Sequence, residues 1–274
     1  MRGTTVNRTM TWIFLIVGIY LALGVVLFLM QRRLIYPIPR AAIAPNALSA
    51  RLLRIPVAKN VTGLALHYQP REGEPTVVHF HGNAEQLADQ EQLAEWFVEA
   101  GVGFFAVEYP GYGLAENGAP NERAIYQTAE AALKHLSNEL QVPKRLTVLQ
   151  GQSLGTGVAV EMARRGYGSR LSLISPYTSM ADMAATVAPF FPVRWLLLDR
   201  YDNASKAPMI ELPTLIIHGS QDEVIPFRMA EQLADRFPNR RLHIVKGAHH
   251  NDLFSVGGQE LMQRIVAFSL GIKG

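Results

Sequence analysis

A mostly parallel, doubly wound α/β sheet is the fold class that the sequence predicts, and three observations predict it. Short apolar runs such as TVVHF (76–80), RLTVLQ (145–150) and TLIIHG (214–219) read as strands buried on both faces. Segments of helical periodicity separate the later runs, the alternation that specifies right-handed crossovers. The chain has 274 residues, 49% of them hydrophobic and 18% charged, enough for one large core and unlike a disordered or fibrous composition.

The first element stands apart from that pattern. Thr11 to Met30 is an uncharged apolar run, TWIFLIVGIYLALGVVLFLM. As a helix it would span about 30 Å, the thickness of a bilayer's hydrocarbon core. A secretory signal has an apolar region of only about 7–15 residues followed by small residues. Here Gln31-Arg32-Arg33 follows, so an uncleaved transmembrane anchor is expected, with Trp12 and Tyr36 at the two interfaces. Arginines flank both ends, so the run carries no orientation signal.

Pro37, Pro39 and Pro45 mark a linker out of the membrane. Beyond it, strands are expected at Arg51–Val57, Leu64–Tyr68, Thr76–Phe80, Gly103–Val107, Arg145–Gln150, Leu171–Ile174, Thr214–His218 and Arg241–Val245. The first two lie too close together to enclose a helix and predict an antiparallel start. Helices are expected at Glu85–Ala100, Arg123–Leu140, Leu154–Arg165, Phe227–Phe237 and Gly258–Leu270. Residues 180–211 interrupt the alternation with Pro189-Phe190-Phe191-Pro192 and Trp195-Leu196-Leu197-Leu198, too long for an ordinary connection. They read as a small helical cap, and Phe190, Phe191 and Trp195 as its substrate-binding side chains. The organisation expected is an anchor and juxtamembrane segment, 1–40, then one domain, 41–274, with the cap inserted.

Charge narrows the partners. The sequence holds 26 Lys and Arg against 23 Asp and Glu, but residues 1–40 carry five arginines and no acid. The body is therefore mildly acidic, and it has no basic stripe interleaved with aromatics. A nucleic-acid partner is not expected; the positive charge suits lipid headgroups. The chain lacks cysteine, which excludes disulfides, thiolate metal sites and a cysteine nucleophile.

Three segments bring chemistry together. Gly151-Gln152-Ser153-Leu154-Gly155 joins an apolar strand to a helix, a sharp turn that needs glycines on both sides and lifts Ser153 above the sheet. A serine nucleophile needs a base and an orienting carboxylate, in this architecture after later strands and in the order serine, acid, histidine. Asp222 follows TLIIHG, and His249-His250 follow RLHIVKGA. The turn after TVVHF offers the Asn83 backbone N–H, beside that of Leu154, for an oxyanion hole. His79 and His81 share a strand face, but without a third ligand at metal spacing they read as structural.

These segments resemble the α/β-hydrolase superfamily, and more narrowly its membrane-anchored Bem46-like group. The matching stretches are QRRLIYP (31–37), FHGNA (80–84), YPGYG (109–113), GQSLG (151–155), SPYTS (175–179), HGSQDEVIP (218–226) and HND (250–252). The family's histidine directly precedes Asn-Asp, so the resemblance implies His250 as the base with Ser153 and Asp222. It also implies hydrolysis of a small-molecule or lipid-like acyl ester or thioester at a membrane, with no cofactor and no metal. The rival readings are a serine peptidase on the same scaffold and a non-catalytic membrane-tethered binding protein. A serine at the turn disfavours aspartate-nucleophile enzymes.

Overall fold

The computed structural model describes residues 3–46, 49–59, 61–115 and 118–272, with side chains from residue 10 onward. Arg2 and the side chain of Arg8, two of the basic groups noted above, lie outside the described residues.

Helix α1 (Gly3–Ile35) is long because nothing in the apolar run breaks it, and its apolar portion covers Met10–Ile35, with a mean hydropathy of 2.9 over its most apolar window. Strands β1 (Arg51–Ala58) and β2 (Val61–Tyr68) pair antiparallel, and β2 pairs antiparallel with β4 (Gly103–Val107). The remaining strands, β3 (Thr76–Phe80), β5 (Thr147–Gln152), β6 (Arg170–Ile174), β7 (Thr214–Gly219) and β8 (Arg240–Val245), are all parallel. The sheet order is β1-β2-β4-β3-β5-β6-β7-β8.

Both faces are covered, as the apolar runs require. Val78, Leu149 and Ile216 pack against α3 (Glu122–Asn138), α4 (Leu154–Arg164) and α8 (Phe227–Ala234). Their neighbours along the strands, Val77, Val148 and Leu215, face α2 (Glu91–Glu99) and α9 (Leu253–Leu270). Period-two alternation thus divides one uniformly apolar run between two cores.

Two expected helices begin elsewhere. A short 3₁₀ turn at Leu87–Gln90 precedes α2, and α9 starts at Leu253 with a kink at Gly258, whose φ of 54° is outside the helical region. Between β6 and β7 the segment expected as a cap, and so termed below, contains α5 (Met180–Val187), α6 (Val193–Leu196) and α7 (Asn203–Lys206).

The carboxyl-terminal half of α1 is docked on that cap. The Tyr20 hydroxyl donates to the Phe190 carbonyl at 2.9 Å, and the Tyr20 and Phe191 rings stack with centroids 4.8 Å apart. The Leu198 amide donates to Gln31 Oε1 at 2.8 Å, and Arg32 pairs with the buried Asp199 at 2.9 Å. Tyr36 is only 3% exposed, its hydroxyl 3.1 Å from that of Tyr201. It is therefore a buried packing residue, not the interfacial aromatic expected, because the chain turns at Ile35 and folds back onto the domain.

α4 lies against the end of β3 with no room for a side chain between them. A Cβ on Gly155 would collide with the Phe80 carbonyl oxygen, and one on Gly151 with the Gly155 carbonyl. Gly155→Ala is expected to lower the unfolding free energy by about 3 kcal/mol, measured by chemical denaturation of the detergent-solubilised chain.

Candidate active site

Strand β5 ends at Gln152 and α4 begins at Leu154, leaving Ser153 to make the turn with φ 49° and ψ −116°. That left-handed backbone costs a serine roughly 1–3 kcal/mol. The Ser153 amide, donating to the Ile174 carbonyl at 2.9 Å, helps hold it. The hydroxyl therefore stands above the carboxyl end of the sheet at a helix N-terminus, where peptide dipoles favour negative charge.

His250 and Asp222 lie beside it, each in the loop after its strand. His250 Nδ1 is 2.7 Å from Asp222 Oδ2, and His250 Nε2 is 3.2 Å from Ser153 Oγ. A carboxylate only accepts, so Nδ1 carries the proton and donates it, leaving the Nε2 lone pair facing the serine hydroxyl. The other carboxylate oxygen, Oδ1, accepts from the Val224 and Ile225 amides at 3.0 and 2.7 Å. His218 Nε2 donates to the Ile225 carbonyl at 2.9 Å and lies 3.3 Å from Asp222 Oδ2. Burial raises the Asp222 carboxyl, but His218, His250 and the Ile225 amide outweigh it and hold the group well below the usual carboxylate range.

The two adjacent histidines separate cleanly. His249 is exposed and pairs with Glu223 at 2.9 Å, a contact that raises its pKa above the ordinary value. Its amide donates to Asp252 at 2.6 Å, which pins the loop and turns His250 inward.

Asn83 and Leu154 both border the space in front of Ser153. Leu154 opens α4, so its N–H has no partner within the helix. Asn83 sits in a loop held from two sides. Beneath it, His81 Nε2 pairs with Glu108 at 2.9 Å, both fully buried, and Glu108 also accepts from the Leu87 amide. Burial alone would lower the His81 pKa, but the Glu108 carboxylate raises it. On the other side the Asn83 side chain donates to the Ile35 carbonyl, and the Ala84 amide to the Pro37 carbonyl at 3.0 Å. His79 instead bonds Gln150 at 2.9 Å.

Ser153 lies where two spaces meet. One is a polar cleft of about 120 Å³, bordered by Glu85, Gln152, Ser175 and Asn251. The other is an apolar groove of about 410 Å³. Its walls are Met180, Met183, Val187 and Leu197 of the cap on one side and Leu27, Gln31, Leu34 and Ile35 of α1 on the other.

The cap aromatics expected to bind substrate do not line this groove. Phe190 and Trp195 are 85% and 88% exposed, and Phe191 is spent on Tyr20. The reason is α1, which occupies the side of the cap that those rings were expected to close. Sequence reasoning also missed His218, Glu108 and the α1 wall. His218 had a local signal, four residues before Asp222; the α1 stripe and Glu108 are brought in only by tertiary contacts.

Ser153, His250 and Asp222 thus form one hydrogen-bonded line above an α/β sheet, and comparison with known proteins agrees with that sheet at the level of fold and family. A family model described as "Serine aminopeptidase, S33" matches residues 71–201, and one described as "alpha/beta hydrolase fold" matches residues 192–255. An uncharacterised Mycobacterium tuberculosis protein, Rv2307c, is 32% identical over 261 residues, covering 90% of each chain. The α/β hydrolase domain-containing protein aho-3 of Caenorhabditis elegans is 35% identical over 65% of this chain and 53% of its own. Among solved structures, the Pyrococcus furiosus esterase Pf2001 superposes with a TM-score of 0.70 at 18% identity, over 84% of this chain and 97% of its own. A Paleococcus ferrophilus monoacylglycerol lipase does so with a TM-score of 0.58 at 20% identity, over 77% and 99%. The chain belongs to the α/β-hydrolase superfamily.

The buried His81–Glu108 pair gives a prediction for the loop that carries Asn83. Glu108→Gln is expected to cost about 3 kcal/mol of stability near neutral pH. Because the His81 pKa is raised on folding, its charge-linked share is complete below the ordinary histidine value of about 6.5 and is lost as pH rises through the elevated one. Denaturant unfolding of both proteins at rising pH is expected to show the difference narrowing.

Proposed function

We propose that this chain is a membrane-anchored serine hydrolase of the Bem46-like kind, cleaving an ester or thioester whose acyl group is apolar. The observation that carries the proposal is the Ser153–His250–Asp222 hydrogen-bonded line, set where an apolar groove meets a polar cleft. α1 is the anchor, residues 41–274 are the catalytic domain and 180–211 its cap.

Ser153 Oγ attacks the carbonyl carbon while His250 Nε2 takes its proton. Asp222 keeps His250 in the required tautomer and stabilises the imidazolium. The carbonyl oxygen becomes an oxyanion, held by the Leu154 amide at the α4 N-terminus and the Asn83 amide in the loop after β3. His250 then returns the proton to the departing alcohol or thiol, which leaves through the polar cleft, while the acyl chain stays in the groove. Water, deprotonated by His250, attacks the acyl-serine carbonyl carbon, and His250 returns that proton to Ser153 Oγ as the acid leaves. Two neighbours in structure named as an esterase and a monoacylglycerol lipase are in keeping with the ester class.

A second reading, an aminopeptidase, draws on the description of the matching family model and on Glu85, the carboxylate that borders the polar cleft. An aminopeptidase needs an acid free to bind the substrate's amino terminus. Glu85 already accepts from the Gly82 amide at 2.9 Å, from Gln90 and from Gln152, which favours the esterase reading.

A fluorophosphonate probe is expected to label the wild type and not Ser153→Ala; equal labelling would remove Ser153 as the nucleophile. On p-nitrophenyl esters His250→Ala is expected to lose about 10⁴-fold in kcat and His249→Ala less than about threefold. Faster turnover of aminoacyl anilides than of esters would favour the peptidase. The full chain is expected to stay with the membrane fraction after an alkaline carbonate wash, whereas release would refute the anchor.

A further inference from the structure

Resting on the hydrolase and anchor readings above, we propose that α1 is itself a wall of the acyl site, so that the substrate's chain enters sideways from the bilayer leaflet around α1, and that Leu27 gauges its length. The substrate class is then an acyl ester or thioester whose chain is dissolved in a membrane, in preference to one free in water.

The groove at Ser153 cannot be closed by the domain alone. Leu27, Gln31, Leu34 and Ile35 form one of its sides, spaced along a single helical stripe. Farther from the serine, a second apolar space of about 40 Å³ continues along the same stripe, bordered by Gly24, Phe28 and Phe191. Leu27, Gln31, Val193 and Leu197 border both spaces, so Leu27 is one of the side chains that lie between them. The path from Ser153 therefore runs along α1, towards the middle of its apolar span.

The cap follows the helix in the same direction. Phe190 and Phe191 meet α1 at Tyr20, eleven residues before Gln31. At 1.5 Å per residue that is about 16 Å along the axis, close to half a hydrocarbon core of about 30 Å. With Gln31, Arg32 and Arg33 at the headgroups, the cap tip lies within the leaflet. Its outward side chains suit that medium: Val187, Phe190 and Trp195 are 82%, 85% and 88% exposed. Such a patch of large apolar side chains beside a spanning helix is covered by lipid tails. The exposed Arg194 guanidinium is neutralised by Asp182 and sits one residue from Trp195.

Physical coupling to the chemistry is short. The last carbonyl of α1, on Ile35, accepts from the Asn83 side chain, and Pro37 accepts from the Ala84 amide. The helix that meets the lipid is thus bonded to the loop that carries a proposed oxyanion donor.

The test uses the full chain in phosphatidylcholine vesicles, with p-nitrophenyl butyrate and dodecanoate as substrates and the dodecanoate-to-butyrate ratio of kcat/KM as readout. Leu27→Trp is expected to lower that ratio by at least about tenfold and Leu27→Ala to raise it, because a wider or narrower apolar channel discriminates by chain length. Leu29→Trp, about 200° around the helix and 74% exposed, is expected to leave the ratio unchanged. An unchanged ratio in both Leu27 variants, or an equal change in Leu29→Trp, would overturn the inference while leaving the hydrolase reading intact. Wild-type protein that hydrolyses neither ester and is not labelled by a fluorophosphonate would instead overturn that reading, and this one with it. In the Trp12→Phe, Trp96→Phe background, brominated lipids are expected to quench Trp195; no quenching would place the cap outside the leaflet and overturn lateral access.

Discussion

The contact between Gly155 and the Phe80 carbonyl is the constraint on which the site depends. With no side chain at residue 155, the first turn of α4 rests directly on the end of β3. That closeness forces Ser153 into its left-handed turn and lifts its hydroxyl off the sheet. It also brings the start of α4 beside the loop that follows β3, so Leu154 and Asn83 border one space. A single methyl group at residue 155 would part these two elements. The strain at Ser153 is tolerable because the sheet beneath it is buried on both faces and over-determines the turn.

Around that fixed point the other groups are held by neighbours on different elements. Asp222 is saturated by two amides and flanked by His218, so one of its oxygens remains for His250. A buried carboxylate with this many donors stays ionised and keeps the imidazole oriented. The Asn83 loop is likewise gripped from below by His81–Glu108 and from above by the turn after α1. α1 is bound to the cap by Arg32–Asp199, by Gln31 and by the Tyr36–Tyr201 contact. Helix, cap and loop therefore form one connected structure, in which an apolar groove is a shared wall and not a feature of the domain alone.

Much of the fold was legible because buried parallel strands are short, uniformly apolar and separated by amphipathic helices. The eight expected strands all form, with ends shifted by a few residues, although β1 and β8 are edge strands that are mostly exposed. Boundaries drifted where local signals compete with packing: Gly258 looked like a helix start and is a kink inside α9. Ser153, Asp222 and His250 were legible because each follows its strand in a short loop, so sequence order maps onto the carboxyl edge of the sheet. Spacing alone left His249 and His250 open, and the resemblance pointed to His250; the fold sets His250 on Asp222 and His249 on Glu223, because adjacent residues in a loop point in directions no spacing rule sets. Phe190, Phe191 and Trp195 were misplaced for a related reason. Hydrophobicity shows that a side chain avoids water, but not whether it turns to a groove, to another helix or outward.

By itself, the sequence determined the alternation of strands and helices, the glycine-flanked serine turn and the apolar length of the first helix, because each is written in contiguous residues. Tertiary structure alone decided that the first helix folds against the cap, that Tyr36 is buried and that Leu27, Gln31, Leu34 and Ile35 face Ser153. Those contacts join residues more than a hundred positions apart, and they exist only because the chain turns back at Ile35 and lays the helix against the cap. Local periodicity records which face of a helix is apolar; here every face is, so only packing could select the one that lines the site.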